Sequence, residues 1–145
     1  MKKVIRIFSI LALLALGWFM VKELTRGNKD LKEVTADYIF ETPALIAAFE
    51  KDSALASKQY VDKIISVSGN VKTIDAHDNP VVIILGAPGK MSSVLFSMDS
   101  TYAEEYKNIR EGDQVRLKGV CTGGESQELF GTDIKFNRAV VENLK

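Results

Sequence analysis

Alternating apolar and polar residues in the middle of the chain predict one long β-strand. Within residues 58–74, Ile65, Val67, Gly69 and Val71 occupy alternate positions, with polar residues between them. This period of two is typical of a strand with one buried face. Ile74 falls on the opposite parity, which predicts a bulge near residues 72–73, and glycine allows the strand to bend. Bent and bulged strands of this kind close small barrels.

Four further strands are predicted after this one. Apolar runs or alternation mark them at residues 81–85, 94–98 and 114–121 and within 128–142, with turn-forming clusters between them. Between the third and fourth strands, residues 99–110 change to a helical period. This order is that of the five-stranded Greek-key barrel called the OB-fold, so the predicted class is mainly β with α.

A packing helix is predicted before the barrel, over residues 43–60. Thr42 is the expected N-cap and Pro43 the first helical residue. Leu45, Phe49 and Tyr60 belong to an apolar stripe, and the sequence Asp-Ser at 52–53 leaves open a division into two helices. The short apolar-aromatic piece at 37–40 is expected to lie extended against the barrel.

The N-terminus has the pattern of an export signal or membrane anchor. Lys2, Lys3 and Arg6 precede an uncharged apolar run at 7–21. Ala15 and Gly17 supply small residues at a cleavage spacing. The apolar run nevertheless continues past them, and residues 4–21 are just long enough to span a bilayer.

We therefore expect an uncleaved anchor with its N-terminus in the cytoplasm. The predicted organisation is a signal peptide or transmembrane anchor at 1–24, a tether at 25–36 and an OB-fold domain at 37–145. The domain is expected in the periplasm, attached to the inner membrane by a single pass, or exported if the signal is cleaved.

Composition adds a mildly acidic character to this picture. The 145 residues carry no formal net charge, but without Lys2, Lys3 and Arg6 the remainder has a net charge of −3. A protein that binds nucleic acid normally needs a clustered basic face. The charge balance therefore disfavours nucleic acid as the partner.

Cys121 is the only cysteine, so no disulfide can form within the chain. It continues an alternating row with Val115, Leu117 and Gly119, which favours a small buried side chain. A reactive or intermolecular thiol is the alternative.

Three features of the chain resemble a known family, namely the sequence YVDKIISVSGNV at 60–71, the sequence EGDQVRLKGVCTG at 111–123 and the N-terminal anchor. In these features the chain is similar to the tRNA_anti-like family. These are small OB-fold proteins that are exported or attached to membranes. The resemblance covers residues 37–142 and implies a fold and a location, since the family's activity is not established. Relatives often carry cysteines where this chain has Phe96 and Ala139, so no thiol role is transferred.

Catalysis is not expected. His77 is the only histidine, and it lies between Asp75 and Asp78 in a cluster of turn formers. A metal site at these three residues is the alternative to a polar turn, but no second cluster has ligand spacing. No nucleophile-base motif is visible either. We therefore expect neither an enzyme nor a cofactor.

Four basic residues are the candidate ligand-binding positions: Lys72, Lys90, Arg116 and Lys118. Lys72, Arg116 and Lys118 lie on the outward parity of their strands, where they would form a basic strip. Phe96 shares parity with core residues and is expected to be buried.

The expected function is that of a membrane-anchored, non-catalytic binding module of the envelope, with a protein, peptide or glycan as ligand. The loops at 75–80, 86–92 and 122–128 are the expected recognition surface. The alternative is an oligonucleotide-binding OB domain.

Overall fold

The computed structural model describes residues 30–77, 79–127 and 129–142. The chain divides into one unit at Met1–Asp30 and another at Leu31–Lys145, and only the second is described below. The predicted anchor at 1–24 lies outside the described residues. Among the residues described, no helix is long and apolar enough to cross a membrane.

The described domain consists of six strands and a few short helices. Strand β1 (Tyr38–Glu41) leads into helices α1 (Thr42–Lys51) and α2 (Ser53–Tyr60). Strands β2 (Ile64–Asp75), β3 (Val82–Leu85) and β4 (Ser93–Met98) follow. A 3₁₀ turn (Ser100–Tyr102) and the one-turn helix α3 (Ala103–Tyr106) precede β5 (Gln114–Gln127) and β6 (Gly131–Val141).

Strands β2 to β6 close into a five-stranded barrel, which confirms the predicted OB-fold. The strand order is β1-β2-β3-β4-β6-β5, and pairing of β2 with β5 closes the barrel. The helix between the third and fourth barrel strands is present as α3. Strand β1 lies outside the barrel and pairs in parallel with the first half of β2. The extended piece predicted at 37–40 is thus an added sixth strand.

The predicted bulge in β2 is also present. The register between β2 and β3 shifts between Val71 and Thr73, and Ile74 beyond it packs against the core. Without the extra residue, strict alternation would turn Ile74 toward solvent, and the bulge returns it to the buried face.

The core joins the barrel interior to the inner face of α1. Phe96 and Phe136 stack at 4.5 Å between ring centroids, and both are buried. Helix α1 adds Leu45 and Phe49, neither of which is exposed to solvent. Burial of side chains this large is the main source of stability in a chain without disulfides.

The helical segment predicted over residues 43–60 is two helices divided at Asp52, the division that the sequence left open. Asp52 has extended backbone angles, and its side chain accepts a hydrogen bond from the Leu55 amide at 2.9 Å, so it caps α2. The predicted N-cap of α1 was wrong by one position, because Glu41 is the N-cap and Thr42 the first helical residue. The Thr42 hydroxyl instead donates to the Ser68 carbonyl, at 2.9 Å.

Residues 31–36, predicted to be tether, belong to the folded domain. Leu31 is buried, and the carbonyl of Val34 accepts a hydrogen bond from the Lys118 amine at 2.9 Å. Lys32 forms an ion pair with Glu105. We call residues 31–36 the strap. The domain therefore begins at Leu31 and not at residue 37, because buried contacts rather than composition fix the boundary.

Cys121 is a buried core residue, as the alternation favoured. Burial raises the pKa of its thiol and the nearby Asp62 carboxylate raises it further, while the Gly123 backbone N–H acts in the opposite direction. Since the thiolate is the reactive form, both the higher pKa and the lack of access make this cysteine inert.

We expect the Cys121 thiol to stay unmodified by a thiol reagent in the folded chain and to react once guanidinium unfolds the protein. The measurement is the time course of thiol modification at neutral pH. Ser100→Cys, at an exposed position, provides a reactive control in the same fold. Modification of wild-type Cys121 at the rate of that control would contradict its burial.

Candidate ligand-binding cleft

The cleft forms because two strands, β1 and β3, pair with successive parts of one edge of β2. Residues Ile65 to Ser68 pair with β1, residues from Val71 onward pair with β3, and β5 occupies the opposite edge. Gly69 and Asn70 lie between these two partners. The chain leaves the sheet directly after β1 and enters α1, so a gap opens above this part of β2.

Gly69 is required at this gap because another side chain approaches it closely. A Cβ atom on Gly69 would lie 2.1 Å from the Thr42 Oγ1 and 3.0 Å from its Cβ. The Thr42 hydroxyl takes this position to donate to the Ser68 carbonyl. Glycine therefore allows the start of α1 to rest on β2 and sets the depth of the cleft.

The cleft has a volume of about 530 Å³ and is open to solvent. Helix α1 forms one wall, the loop between β3 and β4 forms the other, and β2 forms the floor. The lining residues that carry usable side-chain chemistry are Glu41, Ile46, Glu50, Asn70, Lys90, Met91 and Gln114.

Two carboxylates and one amine supply the charge of the cleft. Glu50 is positioned by a relay in which the Thr132 amide donates to the Ser92 hydroxyl at 3.1 Å, and that hydroxyl donates to Glu50 Oε1 at 2.8 Å. The side chains of Glu41 and Lys90 are exposed and have no polar partner among the described residues. The cleft thus offers one fixed carboxylate, one free carboxylate and one free amine.

Exposed amides and apolar groups complete the surface. Asn70 and Gln114 each offer a carboxamide that can both donate and accept a hydrogen bond. Ile46 and Met91 add aliphatic and thioether surface. This combination of a few polar groups on an apolar wall suits a ligand with amide groups and apolar side chains.

Of the four basic residues predicted to bind ligand, only Lys90 lines the cleft. Lys72 does not line the cleft, and its amine bonds to the β3–β4 segment instead. It donates to the Lys90 carbonyl at 2.7 Å and to the Ser93 hydroxyl at 2.9 Å. Lys72 therefore holds the β3–β4 loop against β2.

Arg116 and Lys118 do not line the cleft, and Lys118 lies under the strap. The Arg116 Nε donates to the Ser68 hydroxyl at 2.8 Å. Lys118 is only 5% exposed, and its amine contacts the Val34 carbonyl and, at 3.5 Å, Glu142 Oε1. Both residues face outward from the barrel, as predicted, but they do not form an exposed basic strip with Lys72, because the strap covers Lys118.

The predicted recognition loops contribute unequally. The loop at 86–92 lines the cleft, whereas no residue of the loops at 75–80 and 122–128 does so among the residues described. Sequence reasoning missed Glu41, Glu50, Asn70 and Gln114. The sequence held one signal of the cleft, namely a glycine at 69 and a Thr-Pro helix start at 42–43. These two features indicate a close contact between helix and strand only once the two positions are known to be neighbours in the fold.

The conventional ligand-binding face of an OB-fold lies on its second and third strands. Here the residues of β3 and β4 on that face are half-buried and not aromatic: Val82, Ile84, Leu95 and Ser97. Phe96 lies in the core, as predicted. This face offers no platform on which bases can stack.

Within the described residues no three histidine, cysteine or acidic side chains come together, and Asp78 of the alternative metal site lies outside those residues. The His77 amide donates to the Asp75 carboxylate at 3.0 Å, which is the geometry of a turn.

A family model described as tRNA_anti-like matches residues 1–131. No curated protein matches the chain. Among solved structures, a candidate nucleic acid-binding lipoprotein of Klebsiella pneumoniae is 13% identical, with a TM-score of 0.57, covering 72% of this chain and 91% of that chain.

Two further structures are more distant. The OBody NL8 bound to hen egg-white lysozyme is 12% identical, with a TM-score of 0.40, covering 57% of this chain and 98% of that one. A chain of the S. pombe Stn1–Ten1 complex is 15% identical, with a TM-score of 0.36, covering 56% of this chain and 59% of its own. At these identities a likeness concerns the fold alone, and these two scores are too low to support an argument.

We expect Gly69→Ala to destabilise the domain by about 1–3 kcal/mol, because the new methyl group collides with Thr42. Thr42→Ala should cost about 1 kcal/mol through the lost hydrogen bond. The double variant should cost less than the sum, since removing the hydroxyl relieves most of the collision. Urea unfolding followed by circular dichroism measures all three, and strict additivity would contradict the contact.

We expect Lys118→Ala to destabilise the domain by about 1–3 kcal/mol, because the Val34 carbonyl and Glu142 lose a buried partner. Lys90→Ala is the matched control at an exposed position and should change stability by less than about 0.5 kcal/mol. The same urea unfolding experiment measures both. Equal effects would show that the strap does not depend on Lys118.

Proposed function

The chain belongs to the tRNA_anti-like family, and from that premise we propose that it is a non-catalytic binding module of the cell envelope. Its ligand is a protein or peptide segment that lies in the cleft between α1 and the β3–β4 loop. This proposal refines the expected protein, peptide or glycan ligand to the first two.

The observation that carries the proposal is the chemistry of the cleft. Its volume of about 530 Å³ lies in the range of ligand sites, roughly 300–1,000 Å³. Asn70 and Gln114 can each pair with both the N–H and the C=O of a peptide backbone. Ile46 and Met91 give an apolar side chain a place to be buried, which favours a peptide over a glycan.

Charge supports the same choice. Residues 30–142 contain 12 basic and 18 acidic residues, a net charge of −6. A polyanion approaching this domain is repelled, and it gains no release of counterions unless basic residues contact its phosphates. Of the four basic candidates, Lys118 is buried and Arg116 and Lys72 donate to other groups of the domain.

Oligonucleotide binding is the second candidate. It draws support from the description of the Klebsiella pneumoniae lipoprotein as nucleic acid-binding and from the oligonucleotide binding of many OB-folds. The acidic net charge of the domain argues against it, and so does the lack of aromatic residues on the outward face of β3 and β4.

The envelope location rests on the N-terminal pattern at 1–24 together with the resemblance to a lipoprotein of known structure. In this proposal the apolar segment holds the domain at the membrane. The domain then meets partners that are themselves in the envelope.

We expect a library of random 12-residue peptides, selected against the full chain in mild detergent, to yield ligands that compete for one site. Ala87→Trp, which fills the cleft from the β3–β4 loop, should abolish their binding. Ala76→Trp places the same bulk on a different exposed loop and should leave binding unchanged. Fluorescence anisotropy with the labelled selected peptides measures the dissociation constants.

Retention of peptide binding by Ala87→Trp would contradict the proposed site. A labelled RNA 12-mer is tested in parallel at low and high salt. Tight RNA binding that falls steeply with salt and is lost in Lys90→Ala would instead establish the second candidate.

A further inference from the structure

An exposed apolar ridge stands at the tips of two loops. Met91 in the β3–β4 loop is 65% exposed, and Leu129 and Phe130 in the β5–β6 turn are 79% and 69% exposed. The described residues contain two other large hydrophobic side chains that are exposed, Ile39 and Leu55. We call Met91, Leu129 and Phe130 the ridge.

Backbone packing holds the two loops of the ridge together. Gly131 lies so close to the β3–β4 loop that a Cβ atom on it would be 2.7 Å from the Ser92 amide nitrogen and 3.0 Å from the Met91 Cβ. The Thr132 amide donates to the Ser92 hydroxyl. Met91 is therefore fixed beside the turn that carries Leu129 and Phe130.

The ridge is continuous with the cleft. Met91 belongs to both, since it also lines the cleft. The residue after it, Ser92, donates to Glu50, so a carboxylate is held one residue away from the ridge. Glu41 adds a second carboxylate in the same cleft. Among the described lining residues Lys90 is the only basic one, so two carboxylates outnumber one amine in the cleft. Apolar surface and a net negative charge thus occupy neighbouring positions on one face.

We propose that ridge and cleft form a single interface for a basic, apolar protein segment. Apolar side chains of the partner cover Met91 and Phe130, and a lysine or arginine that follows them pairs with Glu50 and Glu41. This inference rests on the proposed function and names the class of segment that the site takes. A contact of this kind buries apolar area and pairs each charge with its opposite.

Charge complementarity selects this partner over two others. A second copy of the chain would bring another domain of net charge −6 to a face that already holds Glu41 and Glu50. An anionic bilayer would meet the same carboxylates, and the exposed residues Glu125 and Asp133 lie on the strands that flank the ridge turn. A cationic protein segment is attracted where both of these are repelled.

Three synthetic 12-residue peptides test the inference with the full chain. The first contains leucine, phenylalanine and three lysines, the second has glutamate in place of each lysine, and the third has serine in place of the two apolar residues. We expect the first to bind at least about tenfold more tightly than either of the others, which corresponds to about 1.4 kcal/mol. Fluorescence anisotropy at two salt concentrations provides the constants.

Variants of the chain separate the two parts of the interface. Phe130→Ser should weaken binding of the first peptide about tenfold at both salt concentrations, since exposed aromatic side chains are frequent hot spots of protein interfaces. Glu50→Gln should weaken it at low salt and reduce its salt dependence. Leu55→Ser on α2 and Glu111→Gln are matched exposed controls and should leave binding unchanged.

The outcomes distinguish this inference from the function on which it rests. If the acidic peptide binds as well as the basic one and Ala87→Trp abolishes both, the cleft binds peptides and the inference fails. If Ala87→Trp affects no peptide, the proposed function fails as well.

Two other results would also overturn the inference. One is a dimer in analytical ultracentrifugation that dissociates on Phe130→Ser, which would make the ridge a contact between copies. The other is quenching of Phe130→Trp by brominated lipids in nanodiscs, with Trp18 replaced by phenylalanine, which would place the ridge in the bilayer.

Discussion

The structure depends on one strand serving three partners. Strand β2 pairs with β5 along one edge and divides its other edge between β1 and β3, with Gly69 and Asn70 at the division. The division requires a residue without a side chain at 69, because Thr42 occupies the space above it. Barrel closure, the direction in which α1 leaves the sheet, and the cleft all follow from this arrangement.

The outer face of the same sheet shows why basic residues on a strand are a poor guide to binding. Lys118 and Arg116 face away from the barrel, yet each hydrogen-bonds to the protein itself. A buried amine is stable only where carbonyl and carboxylate oxygens replace water, and here Val34 and Glu142 do so. Lys118 therefore attaches the strap to the barrel, and Arg116 bonds to the neighbouring strand β2, which leaves the domain surface predominantly acidic.

The proposed binding site lies at a different place from the usual ligand-binding face of an OB-fold. The sheet face on which many OB-folds place aromatic residues has none on β3 and β4 here, and the polar groups that converge lie instead between α1 and a loop. A fold supports many functions, so the site has to be argued from its own residues. The carboxylates, carboxamides and adjoining apolar ridge together match a protein segment better than a phosphate backbone.

The sequence alone determined the local features of this protein. Alternation identified the barrel strands, the bulge near residues 72–73 and the buried positions of Phe96 and Cys121, and a change to helical period identified the helix before the fourth barrel strand. These features follow from the short-range periods of strands and helices. Only the tertiary structure decided that residues 31–36 cover Lys118, that β1 and β3 share an edge, and that Glu41, Glu50, Asn70 and Gln114 face one cleft. These contacts join residues far apart in the chain, and no local period records which distant segments meet.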